Sequence, residues 1–196
     1  MINNESLRLR RFPSRRRKGF SLAEILVALA ILAALAAVLI PAVAGQISKS
    51  DATRTIQDIT AIRTGIEQFV ADVHRYPGKV SHLANLITTA QMDVNNATYP
   101  QSLVNRWKGP YLGRDTLPGG YQTGFGAVVR DSLVRLTFQA GVNYATVVIA
   151  GITQTDFNRI DIEVDGAVDA TSGMLRWVTG GGSGVDTVKY LTIPIQ

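Results

Sequence analysis

One acidic side chain, that of Glu24, stands at the start of a long apolar stretch near the N-terminus. Residues 25–45 contain no charged side chain, and the next charge along the chain is that of Lys49. A carboxylate in an apolar segment is costly to place in lipid, and such residues commonly have a function and a specific partner. Pairing with a cation offsets the cost of desolvating the carboxylate. Glu24 is therefore the first candidate for a residue with a defined role, and its expected partner is a positive charge.

A second group of acidic residues lies near the C-terminus and consists of Asp161, Glu163, Asp165 and Asp169. Residues 159–164 alternate apolar and polar side chains, which predicts a half-buried strand. On a strand, the first three of these carboxylates share one face. Carboxylate oxygens are ligands that Ca²⁺ prefers, so the cluster is a possible weak calcium site. The spacing does not match an EF-hand loop, and a solvated strand face that ends in an Asp-Gly turn is the favoured interpretation.

No other set of residues predicts catalysis or a cofactor. The chain has no cysteine, which excludes disulfides, thiolate metal sites and a cysteine nucleophile. His74 and His82 are eight residues apart without a partner motif, and we predict that both lie on the surface. The glycine-rich segment 180–184 lacks the Lys-Ser/Thr of a phosphate-binding loop, and we predict a flexible loop there. The sequence therefore predicts a protein that is not an enzyme and that needs no cofactor.

The apolar stretch is long enough to cross a membrane. Its 21 residues span about 30 Å as a helix, the thickness of a bilayer's hydrocarbon core. Residues 1–18 hold seven basic side chains and one acidic one, whereas the rest of the chain holds 13 Lys and Arg against 14 Asp and Glu. Basic residues on the N-terminal side predict a cytoplasmic N-terminus. Because the folded part is not basic, no nucleic-acid partner is expected. Pro41 is predicted to kink or locally unwind the helix.

Other interpretations of the N-terminus explain fewer features. A secretory signal peptide has a shorter apolar region followed by a small-residue cleavage site, which Ala-Val-Ala at 42–44 imitates. A simple signal anchor accounts for the length and the charge of the segment, but it needs no carboxylate at Glu24.

Residues 15–24, with the sequence RRRKGFSLAE, resemble the class III signal sequence of prepilins. That pattern consists of a basic leader, a glycine, an aromatic residue, a glutamate five positions after the glycine, and an apolar helix that commonly contains a proline like Pro41. The resemblance implies cleavage between Gly19 and Phe20 by a prepilin peptidase and N-methylation of Phe20. The new ammonium group of Phe20 would then pair with Glu24 of a neighbouring subunit and set its register in a filament.

The helical pattern continues beyond the membrane segment. An apolar stripe recurs at three- and four-residue steps and predicts a nearly continuous helix over residues 20–74, which Tyr76-Pro77-Gly78 ends. Its members are Ile56, Ile59, Ile62, Ile66, Phe69, Val70 and Val73. A short helix is expected within residues 81–91. Strands are predicted at residues 132–140, 144–152, 159–164, 174–178 and 188–195, with Pro194 indicating an edge strand.

These elements predict an α+β, pilin-like fold. A long N-terminal helix crosses the membrane with its first half and packs its second half against a small antiparallel sheet. We divide the chain into a cleaved leader (1–19), a transmembrane and assembly helix (20–45), its amphipathic outer half (46–75), a connecting region (76–131) and the sheet (132–196).

Tyr76-Pro77 and residues 107–112, with the sequence WKGPYL, resemble the globular part of the major pseudopilins of type II secretion. Major pseudopilins are known for a Ca²⁺ site. The last 60 residues do not resemble that family, and the chain is longer than its usual member. The function expected is a structural subunit of an inner-membrane filament for protein secretion, with the C-terminal domain in the periplasm. A type IV pilus or DNA-uptake minor pilin is the alternative, and a membrane-tethered extracytoplasmic binding module or enzyme is the second.

The partners implied are like and unlike pilin subunits, the prepilin peptidase, and an inner-membrane assembly platform with a cytoplasmic ATPase.

Overall fold

A computed structural model describes residues 19–113, 120–138, 141–180 and 186–195. The basic leader and most of the glycine-rich segment 180–184 lie outside the described residues, as does the predicted loop there. The chain divides into two compact units, of which the first ends at Val43 and the second is Ala44–Gln196. The helices are α1 (Leu22–Val73), α2 (Ser81–Ala84), α3 (Gln101–Val104) and α4 (Gln154–Asp165). The strands are β1 (Tyr121–Gln122), β2 (Val128–Phe138), β3 (Val142–Ala150), β4 (Leu175–Val178) and β5 (Thr187–Ile195).

Helix α1 has 52 residues and matches the long helix predicted from the sequence. It continues through Pro41 as one helix, so the predicted local unwinding does not occur. Its end at Val73 is followed by His74, whose positive φ of 59° turns the backbone out of the helix. Within the described residues, α1 is the one helix whose length and composition suit a membrane span. The predicted helix within residues 81–91 is shorter than expected, since α2 ends at Ala84.

In the second unit, the outer half of α1 buries its apolar stripe in the core. Ile62, Ile66, Phe69 and Val73 are fully buried, whereas Ile56 and Val70 lie at the edge of the core. The sheet packs against this stripe through alternating residues. The sheet side of the core includes Val129, Leu133, Val147, Ile149, Val188 and Tyr190. An amphipathic helix face against an antiparallel sheet is the arrangement that the periodicity predicted.

The sheet has five antiparallel strands in the order β1-β2-β3-β5-β4. It begins earlier than predicted, at Tyr121 rather than at residue 132. The edge position predicted for the last strand is wrong, because β5 lies between β3 and β4. Pro194 is tolerated there because β4 pairs only with residues 187–190 of β5, so the proline lies beyond that pairing.

The strand predicted at residues 159–164 is wrong, because these residues belong to α4. The hydroxyl of Thr153 accepts a hydrogen bond from the Asp156 amide and caps the helix N-terminus, and Gly166 ends the helix with φ 82°. The buried side chains Phe157, Ile160 and Asp161 follow helical spacing. An alternation over only six residues is compatible with the two-residue period of a strand and with the 3.6-residue period of a helix. Packing of this helical face on the core selects the helix.

Candidate assembly site

The first turn of α1 forms a reciprocal cap between Ser21 and Glu24. The Ser21 amide donates to Glu24 Oε2 at 2.7 Å, and the Glu24 amide donates to Ser21 Oγ at 3.2 Å. This is the capping box, in which a serine and the glutamate three residues later satisfy each other's backbone N–H groups. The Ser-x-x-Glu spacing was visible in the sequence, but the sequence reasoning assigned no role to Ser21.

The residues of the predicted processing site lie just before this cap. A side chain at Gly19 would meet no atom within 4 Å. The Phe20 side chain is 85% exposed, and no apolar residue of the described chain covers it. Glu24 is also exposed, so its carboxylate is accessible to a second group besides the Ser21 amide. The structure thus places Gly19 and Phe20 just before α1 and Glu24 in its first turn.

The apolar part of α1 in the first unit is exposed on all sides. Every described residue from 19 to 43 is exposed, including eleven large apolar side chains from residue 25 onward. They are Ile25, Leu26, Val27, Leu29, Ile31, Leu32, Leu35, Val38, Leu39, Ile40 and Val43. A shallow groove of about 400 Å³ lies beside Glu24 and is lined by Ala23, Val27, Ala28 and Ile31. Soluble proteins do not leave apolar surface of this extent in water, so lipid or other helices must cover it.

In the second unit, the segment 107–112 is held against the outer half of α1. Tyr111 Oη accepts from the Lys108 amide at 2.8 Å and donates to Asp72 Oδ2 at 3.1 Å, and Lys108 Nζ lies 2.9 Å from Asp72 Oδ1. The hydrogen bond from Lys108 holds the pKa of Asp72 below its ordinary value, and burial raises the pKa of Tyr111. This cluster connects the segment to the end of α1.

Two further contacts fix the same segment. The amides of Tyr111 and Leu112 both donate to the carbonyl of Leu83, and Trp107 Nε1 donates to the carbonyl of His82 at 3.0 Å. A Cβ at Gly65 would lie 3.2 Å from the Tyr111 carbonyl, so the absence of a side chain on α1 permits this close approach. Aromatic and backbone contacts therefore give residues 107–112 a packing role.

His82 is buried, so the surface position predicted for it is wrong. Its side chain is 1% exposed, Nδ1 lies 3.3 Å from Tyr99 Oη, and Nε2 has no partner among the described residues. Burial lowers its pKa to about 4, which keeps the imidazole neutral. His74, by contrast, is exposed as predicted.

The acidic cluster does not form the shared face that a strand would give. Asp161 is buried and Glu163 is exposed, because residues two apart on a helix point to different sides. Asp161 Oδ2 accepts from the Asp169 amide at 2.7 Å, and Asp165 accepts from the amides of Met174 and Leu175. Burial raises the pKa of Asp161, and hydrogen bonds from Ser172 and Thr171 lower that of Asp169.

These carboxylates order the turn after α4 through backbone amides. Across the described ranges, no group of three or more His, Asp or Glu side chains is placed to hold a metal ion. The calcium hypothesis for Asp161, Glu163, Asp165 and Asp169 stays a prediction.

Comparisons with known proteins match the two halves of α1 to two different family models. Residues 14–40 match the family model described as the prokaryotic N-terminal methylation motif. Residues 42–125 match the model described as type II secretion system protein G. The first match covers Gly19, Phe20 and Glu24 and ends just before Pro41, and the second ends before β2. No solved structure matches this chain significantly.

Several curated proteins are similar to part of this chain. A type II secretion system core protein G of Klebsiella michiganensis is 31% identical over 105 residues, which cover 54% of this chain and 71% of that protein. The Pectobacterium carotovorum protein of the same description is 31% identical over 43% of this chain and 54% of its own length. Fimbrial protein Q of Moraxella bovis is 32% identical over 41% of this chain and 48% of its own length. The chain thus spans only about half the length of some of these relatives. With the methylation motif in front of a protein G segment, the chain belongs to the type II secretion system protein G family.

Proposed function

We propose that this chain is the precursor of a pseudopilin, a filament subunit that serves type II protein secretion and is anchored in a bacterial inner membrane. The observation that carries the proposal is the pair of features at the start of α1. A carboxylate begins a helix whose entire apolar surface is exposed in the first unit. A membrane holds such a helix before assembly, and other helices cover it afterwards. Family membership supports the same function.

The carboxylate of Glu24 has two uses in this proposal. Within one subunit it accepts from the Ser21 amide and completes the cap of α1. In a filament it also pairs with the Phe20 ammonium group of a neighbour, which peptidase cleavage after Gly19 creates. An unpaired carboxylate among apolar helices is unfavourable, so the pair selects one register between neighbours. The cap uses a backbone amide that cleavage leaves intact, so both interactions are available to the mature chain.

Three substitutions separate these two uses. Glu24→Val removes the glutamate's part of the cap and the charge. Glu24→Gln keeps a residue suited to the capping box and removes only the charge, and Ser21→Ala removes the serine's part of the cap and keeps the charge. If pairing between subunits is the function, filament yield falls sharply in both Glu24 variants and only slightly in Ser21→Ala. Membrane insertion and leader cleavage stay normal in all three. The measurements are sheared-filament yield and secretion in cells that make only the variant, with protein levels checked by immunoblot.

The opposite pattern would overturn the proposed mechanism. If Glu24→Gln assembles normally and Ser21→Ala does not, then Glu24 acts only as a helix cap. If all three variants behave like the parent protein, the helix is a simple anchor. The second alternative, a membrane-tethered extracytoplasmic binding module or enzyme, would then be favoured.

Processing is tested separately. Mass spectrometry of the membrane fraction is expected to identify a peptide that begins with N-methylated Phe20. A chain that begins at Met1, or after Ala44, would exclude the prepilin mechanism.

A type IV pilus subunit is the second candidate function, because one similar protein is described as a fimbrial protein. Deleting the gene distinguishes the two functions. Loss of protein export without loss of surface pili supports secretion, and loss of surface pili supports the pilus.

A further inference from the structure

Beyond the predicted leader, the chain contains one N-glycosylation sequence, which lies between α2 and α3. The pattern is an asparagine followed two positions later by serine or threonine, with any residue except proline between them. It occurs at Asn4, in the predicted leader, and at Asn96. The second occurrence, Asn96-Ala97-Thr98, belongs to the second unit. Asn96 is therefore a candidate acceptor for a sugar.

Asn96 lies in a turn that the side chain of Asp93 organises. Asp93 Oδ1 accepts from the amides of Asn95 and Ala97 at 2.8 and 2.9 Å, and the Asn96 amide donates to the Asp93 carbonyl at 3.0 Å. Asp93 is buried, and its Oδ2 lies 2.7 Å from Arg75 Nη1. The φ angle of Asn96 is 61°, a left-handed conformation that asparagine adopts more readily than most residues. The turn thus fixes the backbone at Asn96 and leaves its side chain exposed.

The two adjacent asparagines differ in what their side chains contact. Asn95 Oδ1 accepts a hydrogen bond from Arg135 Nη1 at 3.0 Å. Asn96 is exposed, and its carboxamide has no hydrogen-bond partner among the described residues. Thr98 is exposed as well, and its hydroxyl has no partner in the same part of the chain. The nitrogen that accepts the sugar and the hydroxyl that completes the pattern are therefore both accessible.

A groove beside Asn96 has room for the first sugar. Its volume is about 370 Å³, which is within the range of ligand-binding clefts. Met92 and Leu133 give the groove an apolar wall, on which the C–H face of a sugar ring can pack. Lys79 and Gln91 also line it and have side-chain N–H groups that can donate to sugar hydroxyls. The groove therefore suits a polar ligand with an apolar face, as a sugar is.

We propose that Asn96 is a site of N-glycosylation. Asn96 Nδ2 forms a bond to the anomeric carbon of a sugar and loses one proton, while the bond from that carbon to a pyrophosphate group breaks and the pyrophosphate leaves with the electron pair. The donor is a sugar activated by pyrophosphate, which is carried by a lipid or by a nucleotide. The glycan would cover Met92, which is 52% exposed, with hydrophilic groups. The site does not involve Glu24, so a negative result leaves the proposed function unchanged.

The test is mass spectrometry of the full-length chain isolated from the membranes of the cells that produce it. Trypsin is expected to release residues 80–106 as one peptide, because no Lys or Arg lies between Lys79 and Arg106. We expect this peptide to carry a glycan, and fragmentation is expected to place it on Asn96. An oligosaccharide would identify the lipid-linked donor, and a single sugar the nucleotide-linked donor.

Four variants separate glycosylation from the structure of the turn. Asn96→Asp and Thr98→Ala are expected to lose the glycan completely, although aspartate also tolerates the left-handed conformation. Thr98→Ser should keep it. Asn95→Asp is the matched control, because it retains an acceptor for Arg135 and leaves the pattern at residues 96–98 intact. An unmodified 80–106 peptide in the parent chain, or a modification that persists in Thr98→Ala, would overturn the proposal.

Discussion

The two halves of α1 are one helix with opposite relations to the rest of the chain. In the first unit no described side chain is buried, whereas nine residues of α1 are buried in the second unit. The first half has no polar face, and the second has an apolar stripe with polar residues on its other sides. The second half therefore obtains its packing energy from its own chain, and the first must obtain it from lipid or from other subunits. The comparison separates residues that stabilise the fold from residues that serve assembly.

Truncating one large apolar side chain in each half tests this difference most directly. Phe69→Ala removes a fully buried ring that contacts Tyr99 and Tyr111, and it is expected to lower the free energy of unfolding by about 3–5 kcal/mol. Leu35→Ala, in the exposed half, is expected to leave that free energy nearly unchanged. Denaturant unfolding of the full-length chain in detergent, followed by the fluorescence of Trp107 and Trp177, measures both. A similar loss of unfolding free energy in Phe69→Ala and Leu35→Ala would contradict this difference between the two halves of α1.

Buried His82 makes the stability of the second unit depend on pH. Because burial lowers its folded pKa from 6.5 to about 4, the neutral form is favoured in the folded state. The resulting stability is present above pH 6.5 and is lost as the pH falls towards 4, by roughly 3 kcal/mol at most. The charge of Asp131 raises this pKa and that of Lys79 lowers it, both by less than burial does. Tyr99 Oη lies beside Nδ1.

The matched variant for this effect is His82→Gln, which does not titrate. Its unfolding free energy is expected to be lower at neutral pH and to change less between pH 6.5 and 4 than that of the parent chain. Parallel pH profiles would show that other groups cause the dependence.

A smaller effect is expected at the contact between the end of α1 and residues 107–112. Tyr111→Phe removes the hydroxyl that accepts from the Lys108 amide and donates to Asp72. Loss of these hydrogen bonds should reduce the free energy of unfolding by about 1 kcal/mol, while the ring stays packed on Phe69. Guanidinium titration with the same fluorescence signal is the measurement. A loss as large as that of Phe69→Ala would mean that the ring moves as well.

The smallest effect is expected from calcium. We predict no increase in the melting temperature of the second unit on addition of Ca²⁺, because Asp161, Asp165 and Asp169 already accept backbone amides. A site filled at 100 times its dissociation constant would add about 2.7 kcal/mol. A clear upward shift that Asp165→Ala abolishes would establish a site in the turn after α4.

The features that depend on local sequence were predictable. Composition and spacing identify the apolar run, the Gly19-Phe20 junction, Glu24 and the stripe from Ile59 to Val73. The structure has α1 and the packed stripe where the pattern predicted them. Strands β3, β4 and β5 lie within two residues of the predicted ranges. The Ser21–Glu24 cap was equally local, and a search for helix start signals identifies it.

The tertiary structure decided the features that depend on partners distant in sequence. Residues 159–164 fit a strand and a helix, and the core that receives Phe157 and Ile160 selects the helix. The position of β5 within the sheet depends on β4, and the burial of His82 depends on Tyr99 and Trp107. A long apolar helix needs only its own residues to be recognised, because its period and its charge are local. A short amphipathic segment becomes a helix or a strand according to the surface against which it packs.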